Sequence, residues 1–210
     1  MKIIPTILEK DFAEGERKIE LVRDLVSWIQ IDTIDGVFCA GKTFELELIT
    51  KVDFNMDDKL LDIHLMVKKP IKWINKCNFV GAARVVGQVE MMADRNEFIK
   101  AVKDLDMEAG LAIDIDSKIG EIPEETDMIL LMGRKAGFGG EEMNERIWKK
   151  IEKLKRIQND KNNTFQIGVD GGVTRKKVGQ LKRAGVDVVY CGEAIFGKGS
   201  VENNLKILQQ

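Results

Sequence analysis

Three side chains combine type and setting in a way that suits chemistry: Asp32, His64 and Asp170. Asp32 lies in WIQIDTIDGVF (28–38), among Ile29, Ile31 and Ile34. A carboxylate in an apolar run is costly unless it is paired, hydrogen-bonded or bound to a metal. His64, in DIHLMV, is the only histidine, so a metal site holds at most one imidazole per chain. Asp170 closes FQIGVD just ahead of two glycines. Two carboxylates and an imidazole brought to one place suit acid and base proton transfer, or ligation of a divalent cation. Residues two apart on a strand share a face, so Gln30 points with Asp32, and Asp62 with His64. Gln88, followed by Glu90, and Asp114 also lie at or near the ends of apolar runs. Taken singly, each of these polar residues reads as a strand-end cap or a bonded buried group. Asp35 belongs to the Asp-Gly turn and reads as a solvated or backbone-bonding turn residue.

Glycine clusters come late in the chain: AGFGG (136–140), DGGV (170–173) and CGEAIFG (191–197). Glycine lets backbone approach a ligand and present N–H groups to an anion. The ordinary alternative is three tight turns. A phosphate-binding reading stands ahead of it, because two clusters fall where barrels of alternating strands and helices use them. Glu193, inside the last cluster, would repel a phosphate unless it pointed away.

The elements that must position these groups are short apolar runs separated by amphipathic stretches. The expected strands are 3–7, 28–32, 60–66, 83–89, 109–114, 127–132, 165–170 and 187–192. They read as apolar on both faces, as strands of a covered parallel sheet do. IWKKIEKLKRIQ carries Ile147, Ile151, Leu154 and Ile157 on one helical stripe. TRKKVGQLKRAGVD carries Val178, Leu181 and Ala184, with Thr174 as N-cap and Gly185 as C-cap. Eight strands alternating with helices predict an α/β fold, a (β/α)8 TIM barrel spanning 1–210 as a single domain. An open doubly wound sheet is the rival, weakened by the absence of GxGxxG after the first strand. The 210 residues are 44% hydrophobic with a net charge of −2, which suggests neither a nucleic-acid nor a polybasic membrane partner. No apolar run is long enough to span a bilayer, and MKIIPTILEKDF lacks a signal-peptide core. Cys39, Cys77 and Cys191 are widely spaced and odd in number, fitting neither a disulfide framework nor a zinc knuckle. A cytoplasmic location is expected.

Several motifs resemble the ribulose-phosphate 3-epimerase family, in order, from Pro5 to Gly197. PTILEKDF resembles P-S-I-L-S-A-D-F, IDTIDGVF resembles V-D-V-M-D-G-x-F, and DIHLMVKKP resembles D-V-H-L-M-V-x-x-P. LMGRKAGFGG resembles L-I-M-S-V-x-P-G-F-G-G, and VDGGVT and CGEAIFG resemble V-D-G-G-I and A-G-S-A-I-F. The resemblance implies epimerisation at C3 of a ketose phosphate, D-ribulose 5-phosphate to D-xylulose 5-phosphate. It implies one divalent metal ion, Zn, Fe, Mn or Mg. Carried over by position, Asp32, His64 and Asp170 match metal ligands, and Asp32 and Asp170 match the acid/base pair. Thr6 stands at a substrate-contacting serine, and Met66 and Met132 match methionines lining the site. His64 also falls within the substrate-binding set. Gly137, Phe138, Gly139 and Gly140 match one phosphate-binding loop; Gly171 and Gly172 match another, and Gly192 with Glu193 a third. A homo-oligomer is a further family expectation.

The departures gather in the site. Gln30 falls at the remaining metal-binding histidine, Gln88 at the histidine of T-x-H-x-E, Gly41 at an asparagine, and Glu193 at the serine of A-G-S-A-I-F. Ala136 replaces the proline before G-F-G-G, with Arg134 and Lys135 just upstream. As a ligand, Gln30 would offer a carbonyl oxygen, which suits Mg²⁺ or Mn²⁺ better than Zn²⁺. Three readings stay open: this epimerase, a related epimerase on another phosphosugar such as a hexulose 6-phosphate, and a non-catalytic phosphosugar-binding barrel.

Overall fold

The computed structural model describes residues 1–52, 60–137, 140, 142–161 and 164–210. The elements run β1 (Lys2–Ile7), α1 (Phe12–Val22), β2 (Trp28–Ile34), β3 (Leu60–Met66), α2 (Ile74–Phe79), β4 (Ala82–Gln88), α3 (Arg95–Lys103) and β5 (Glu108–Ile113). They continue with β6 (Met128–Met132), α4 (Arg146–Lys161), β7 (Gln166–Asp170), α5 (Arg175–Arg183), β8 (Val188–Cys191), α6 (Glu193–Phe196) and α7 (Val201–Gln209). Every neighbouring pair of strands is parallel, and β8 returns to β1, so the sheet closes as an eight-stranded barrel. All eight expected strands are present. β2 extends two residues past its expected end to Ile34, whose N–H donates to Thr43 Oγ1 at 3.1 Å.

Local chemistry sets the helix ends. Asp11 accepts from the N–H groups of Ala13 and Glu14 to start α1, and Asp94 does the same for Asn96 and Glu97 to start α3. Thr174 caps α5 through Lys177 N, and Gly185 ends that helix's turn at φ +82°, as the sequence suggests. Ile147, Ile151 and Leu154 are buried on one side of α4. Two connections depart from strict alternation. Among the described residues, β2 is followed only by a 3₁₀ turn at Leu46–Lys51, and no helix joins β5 to β6. In the latter, Gly120 sits at φ +69° and Pro123 follows, which together break any helical run. That loop is tied down by Asp114, whose carboxylate accepts from Asp116 N and Ala136 N, each at 3.1 Å.

Outward-facing strand residues such as Ile31, Ile63, Val85, Leu131 and Val169 form one core with the helices. Ile4, Trp28, Val86, Ala112, Leu130 and Val188 form a second inside the barrel. The inner face is less apolar than expected. Thr6, Gln30, Asp32, Asp62, His64, Arg84, Gln88 and Asp170 are all buried, and they alternate along their strands with outward-facing residues such as Ile31, Ile63, Val85 and Val169. The lower of these form a network near the N-terminal strand ends. Arg84 Nε donates to Asp62 Oδ2 at 2.9 Å, and the Tyr190 hydroxyl donates to the same oxygen at 2.5 Å. Arg84 Nη1 reaches Glu108 at 3.1 Å and Gln166 at 3.3 Å, and its guanidinium lies 4.2 Å from the Trp28 ring centroid. The three cysteines are unpaired. No helix of the described residues is long and apolar enough to cross a membrane.

Candidate active site at the barrel mouth

Strand register brings the sequence-predicted residues together. Asp32 is the direct Cα partner of His64, and Asp170 closes β7 beside Met132. One ligand atom from each of Asp32, His64 and Asp170 lies within 4.8 Å of the others. His64 Nδ1 is 2.9 Å from Asp32 Oδ1. Thr6 Oγ1 lies 2.9 Å from Asp32 Oδ2 and 2.8 Å from Gln30 Oε1. A hydroxyl has one proton, so Thr6 donates to one of these oxygens at a time. Gln30 Nε2 is buried without a partner among the described residues.

The cluster is short of positive charge. Burial raises the Asp170 pKa to about 7, and nearby Asp32 pushes it the same way, against His64, Arg134 and the Gly171 N–H. Burial alone would lower the His64 pKa, but the hydrogen bond and charge of Asp32, with Asp170 and Asp62, outweigh it and raise the value. Both shifts mark a place where a proton or another cation is stabilised. The donor set, two carboxylates and one imidazole at close range, fits a divalent cation.

Above the cluster opens a cavity of about 400 Å³, the size of a small-molecule site. Its wall includes Thr6, Asp32, Met66, Met132 and Asp170, and also Gly137, Gly140, Gly171, Gly172, Gly192 and Glu193. Phe138 and Gly139 lie outside the described residues. His64 and Gln30 sit behind this wall, fully buried. The glycines differ in what demands them. A Cβ on Gly172, at φ +68°, would fall 2.3 Å from Met143 N, so the loop's own packing requires glycine there. Gly192 has φ −94°, and the nearest atom to its Cβ position is 3.4 Å away, so its missing side chain leaves room at the wall.

Asp35 serves the turn, as expected, accepting from Val37 N at 2.9 Å and Lys68 N at 2.8 Å. Sequence reasoning noted Arg134 only as a neighbour of the glycine loop, yet it lines the cavity and crosses Gly171, with Cγ 2.9 Å from that residue's Cβ position. Lys18 and Tyr190 also line the cavity and were not singled out. For Tyr190 the available signal was its place two residues from Val188 on the inward face of β8.

A closed parallel barrel that gathers two carboxylates and an imidazole below an open cavity has the architecture of a (β/α)8 enzyme, with its site at the C-terminal strand ends. The chain matches the model of the Ribulose-phosphate 3 epimerase family over residues 2–196 and belongs to that family. Ribulose-phosphate 3-epimerase of Aquifex aeolicus (strain VF5) is 28% identical over 214 residues, covering 100% of this chain and 96% of its own. The enzyme of the same name from Bacillus subtilis (strain 168) is 28% identical over 203 residues, covering 94% and 93%. Among solved structures, KGPDC from Streptococcus mutans in complex with D-R5P aligns with TM-score 0.72 at 13% identity, covering 99% of this chain and 94% of that one. 3-Hexulose-6-phosphate synthase aligns with TM-score 0.66 at 17% identity, covering 100% and 98%. These two share the fold.

Proposed function

We propose that the chain interconverts D-ribulose 5-phosphate and D-xylulose 5-phosphate by inverting C3. The observation that carries this reading is the pair Asp32 and Asp170, both on the cavity wall and both within 4.8 Å of His64. The C3 proton lies next to a ketone and is weakly acidic. One carboxylate takes it from one face of the carbon and the other returns a proton to the opposite face, which inverts the centre. The member of the pair that holds a proton starts as the acid and the other as the base; without a bound cation, burial and the nearby Asp32 favour the proton on Asp170. The reverse reaction exchanges the roles. Thr6 steadies the Asp32 carboxylate through its hydroxyl. Met66 and Met132 give the reacting carbon an apolar, polarisable wall. Gly171, Gly172 and Gly192 leave backbone accessible at the cavity wall, where the substrate phosphate is placed.

Asp32, His64 and Asp170 would hold a divalent cation (Zn, Fe, Mn or Mg), with Gln30 beside them as a further oxygen donor. When bound, that ion supplies Lewis-acid stabilisation of negative charge on the substrate oxygens. A second reading is the same proton transfer on another phosphosugar. It is favoured by Arg134 and Glu193, charged residues on the cavity wall where the family motifs carry valine and serine.

The test is exchange of the C3 proton. D-Ribulose 5-phosphate incubated with the protein and Mn²⁺, Fe²⁺, Zn²⁺ or Mg²⁺ in deuterated water takes up deuterium at C3 as D-xylulose 5-phosphate forms. Exchange with a hexulose phosphate alone selects the second reading. Binding of phosphosugars without exchange of any would overturn both.

A further inference from the structure

Gln88 is fully buried at the end of β4, and its amide meets three groups. The Glu90 carboxylate and the Ala112 carbonyl only accept hydrogen bonds, so the amide nitrogen faces them, at 2.7 and 3.3 Å. That leaves the amide oxygen facing His64 Nε2 at 3.2 Å. An amide oxygen accepts, so His64 Nε2 must carry a proton. Glu90 is itself held, because its other oxygen accepts from Asp114 N at 2.9 Å. The direction of every hydrogen bond from Asp114 to His64 is therefore fixed by chemistry outside the imidazole. The opposite ring atom, Nδ1, faces Asp32.

We propose that Gln88 and Glu90 are positioning residues that hold neutral His64 in its Nε2–H tautomer and present the Nδ1 lone pair to the Asp32–Asp170 cluster. A neutral imidazole free to choose would place its proton on Nδ1, toward the Asp32 carboxylate, and would turn its lone pair to Nε2, away from the cluster. Gln88 denies it that choice, since Nε2 without a proton would face an amide oxygen with no hydrogen between them. With Nε2 protonated, the Nδ1 lone pair and Asp32 Oδ1 stand 2.9 Å apart and need a positive centre between or beside them. Glu90 is the remote element of this device. It is not among the residues lining the cavity, and acts by deciding which way the Gln88 amide turns. An oriented acceptor on the far nitrogen of a ligating histidine fixes ring tautomer and ligand strength, and its loss typically weakens metal binding about 10–100-fold. The inference that Nδ1 faces an ion rests on the cation reading given above; the tautomer itself does not.

The single histidine makes the test direct. In the full-length protein loaded with diamagnetic Zn²⁺, two-bond ¹H–¹⁵N correlation spectra of the one imidazole report which nitrogen carries the proton. The expected result is a protonated Nε2 and an unprotonated, ion-shifted Nδ1. Glu90→Gln keeps the shape but lets the Gln88 amide turn, so it should mix the tautomers and weaken Zn²⁺ and Mn²⁺ binding, measured by calorimetry, about 10–100-fold. The melting temperature, read alongside, should move little, which separates positioning from general damage. Gln88→Leu should shift tautomer and affinity in the same direction. A wild-type imidazole protonated on Nδ1, or one unchanged in Glu90→Gln, overturns the proposal. Failure of the wild type to bind any of these ions would instead overturn the cation reading, and the tautomer would then be read from the chelator-treated protein at a pH where the ring is neutral.

Discussion

Asp62 and Asp32 lie on neighbouring strands, both face into the barrel and both are buried, yet the fold treats them differently. The charge of Asp62 is matched from within the chain: Arg84 and Tyr190 bind its Oδ2 at 2.9 and 2.5 Å, and Glu108 and Gln166 share Arg84 Nη1, although Asp62 Oδ1 and Arg84 Nη2 have no hydrogen-bond partner among the described residues. The pair at its centre is sealed, with Asp62 and Arg84 at 0% and 1% exposure, while Glu108 and Gln166 at its rim are exposed. Asp32 instead meets a second carboxylate, Asp170, and one imidazole, under an open cavity. The imbalance appears as a raised pKa at both Asp170 and His64. A charge balanced by the fold itself needs no visitor. A charge left for something else to balance marks where a ligand or a transferred proton belongs.

Removing one carboxylate from the upper layer gives the largest expected effect on activity. Asp170→Asn and Asp32→Asn should each slow epimerisation of D-ribulose 5-phosphate about 10²–10⁴-fold, the usual worth of a positioned acid or base. Asp170→Asn should do so with unchanged or higher stability, because it removes a carboxylate that burial and Asp32 disfavour. Measured turnover and urea unfolding of the same variant decide it. An active but strongly destabilised Asp170→Asn would put Asp170 in the same class as Asp62.

The lower layer should fail in the opposite way. Arg84→Met strands the Asp62 carboxylate in a sealed interior, and breaking such a pair costs about 3–5 kcal/mol of stability. The double variant Asp62→Leu/Arg84→Met should recover much of that loss, since the uncompensated charge is gone. Urea midpoints of the two variants make the comparison. A double variant no more stable than Arg84→Met would show that the layer's packing matters more than its charge balance.

Legibility in the sequence followed the same division. The upper layer was readable because each member lies at or within two residues of a strand's C-terminal end and matches a motif: Asp32 in IDTIDGVF, His64 in DIHLMV, Asp170 in VDGG. The barrel was readable from eight apolar runs, and α5 from Thr174 and Gly185. The lower layer was not. Arg84 sits within ARVVGQV and Tyr190 within DVVYCG, where each reads as one more strand residue. What joins them is closure of the barrel, which sets Asp62 against Tyr190 across 128 positions of sequence. No local pattern carries a separation of that kind. The same holds for the gap between β5 and β6, where the expected helix gives way to a loop held by Asp114.

The smallest effect, a pH slope, tests the charge imbalance without any variant. In the folded protein Asp170 binds its proton up to about pH 7, whereas its ordinary value is 3.8. Between those limits the native state holds a proton that the unfolded chain has released, so this contribution to stability is fully present below about pH 4 and is lost as pH rises through 7. His64 acts in the same direction. Its folded pKa is raised above 6.5, so its contribution is present below that value and is lost as pH climbs through the raised one. The chelator-treated protein should therefore lose stability from pH 5 to 8, with a slope no steeper than about 1.4 kcal/mol per pH unit for each proton involved. With a divalent ion in excess the slope should reverse, because ligands that must shed protons bind more tightly as pH rises. Asp170→Asn should flatten the chelated slope below pH 7. Stability of the chelated wild type that climbs with pH over this range would mean that the upper layer is balanced after all, and the distinction between the two layers would go with it.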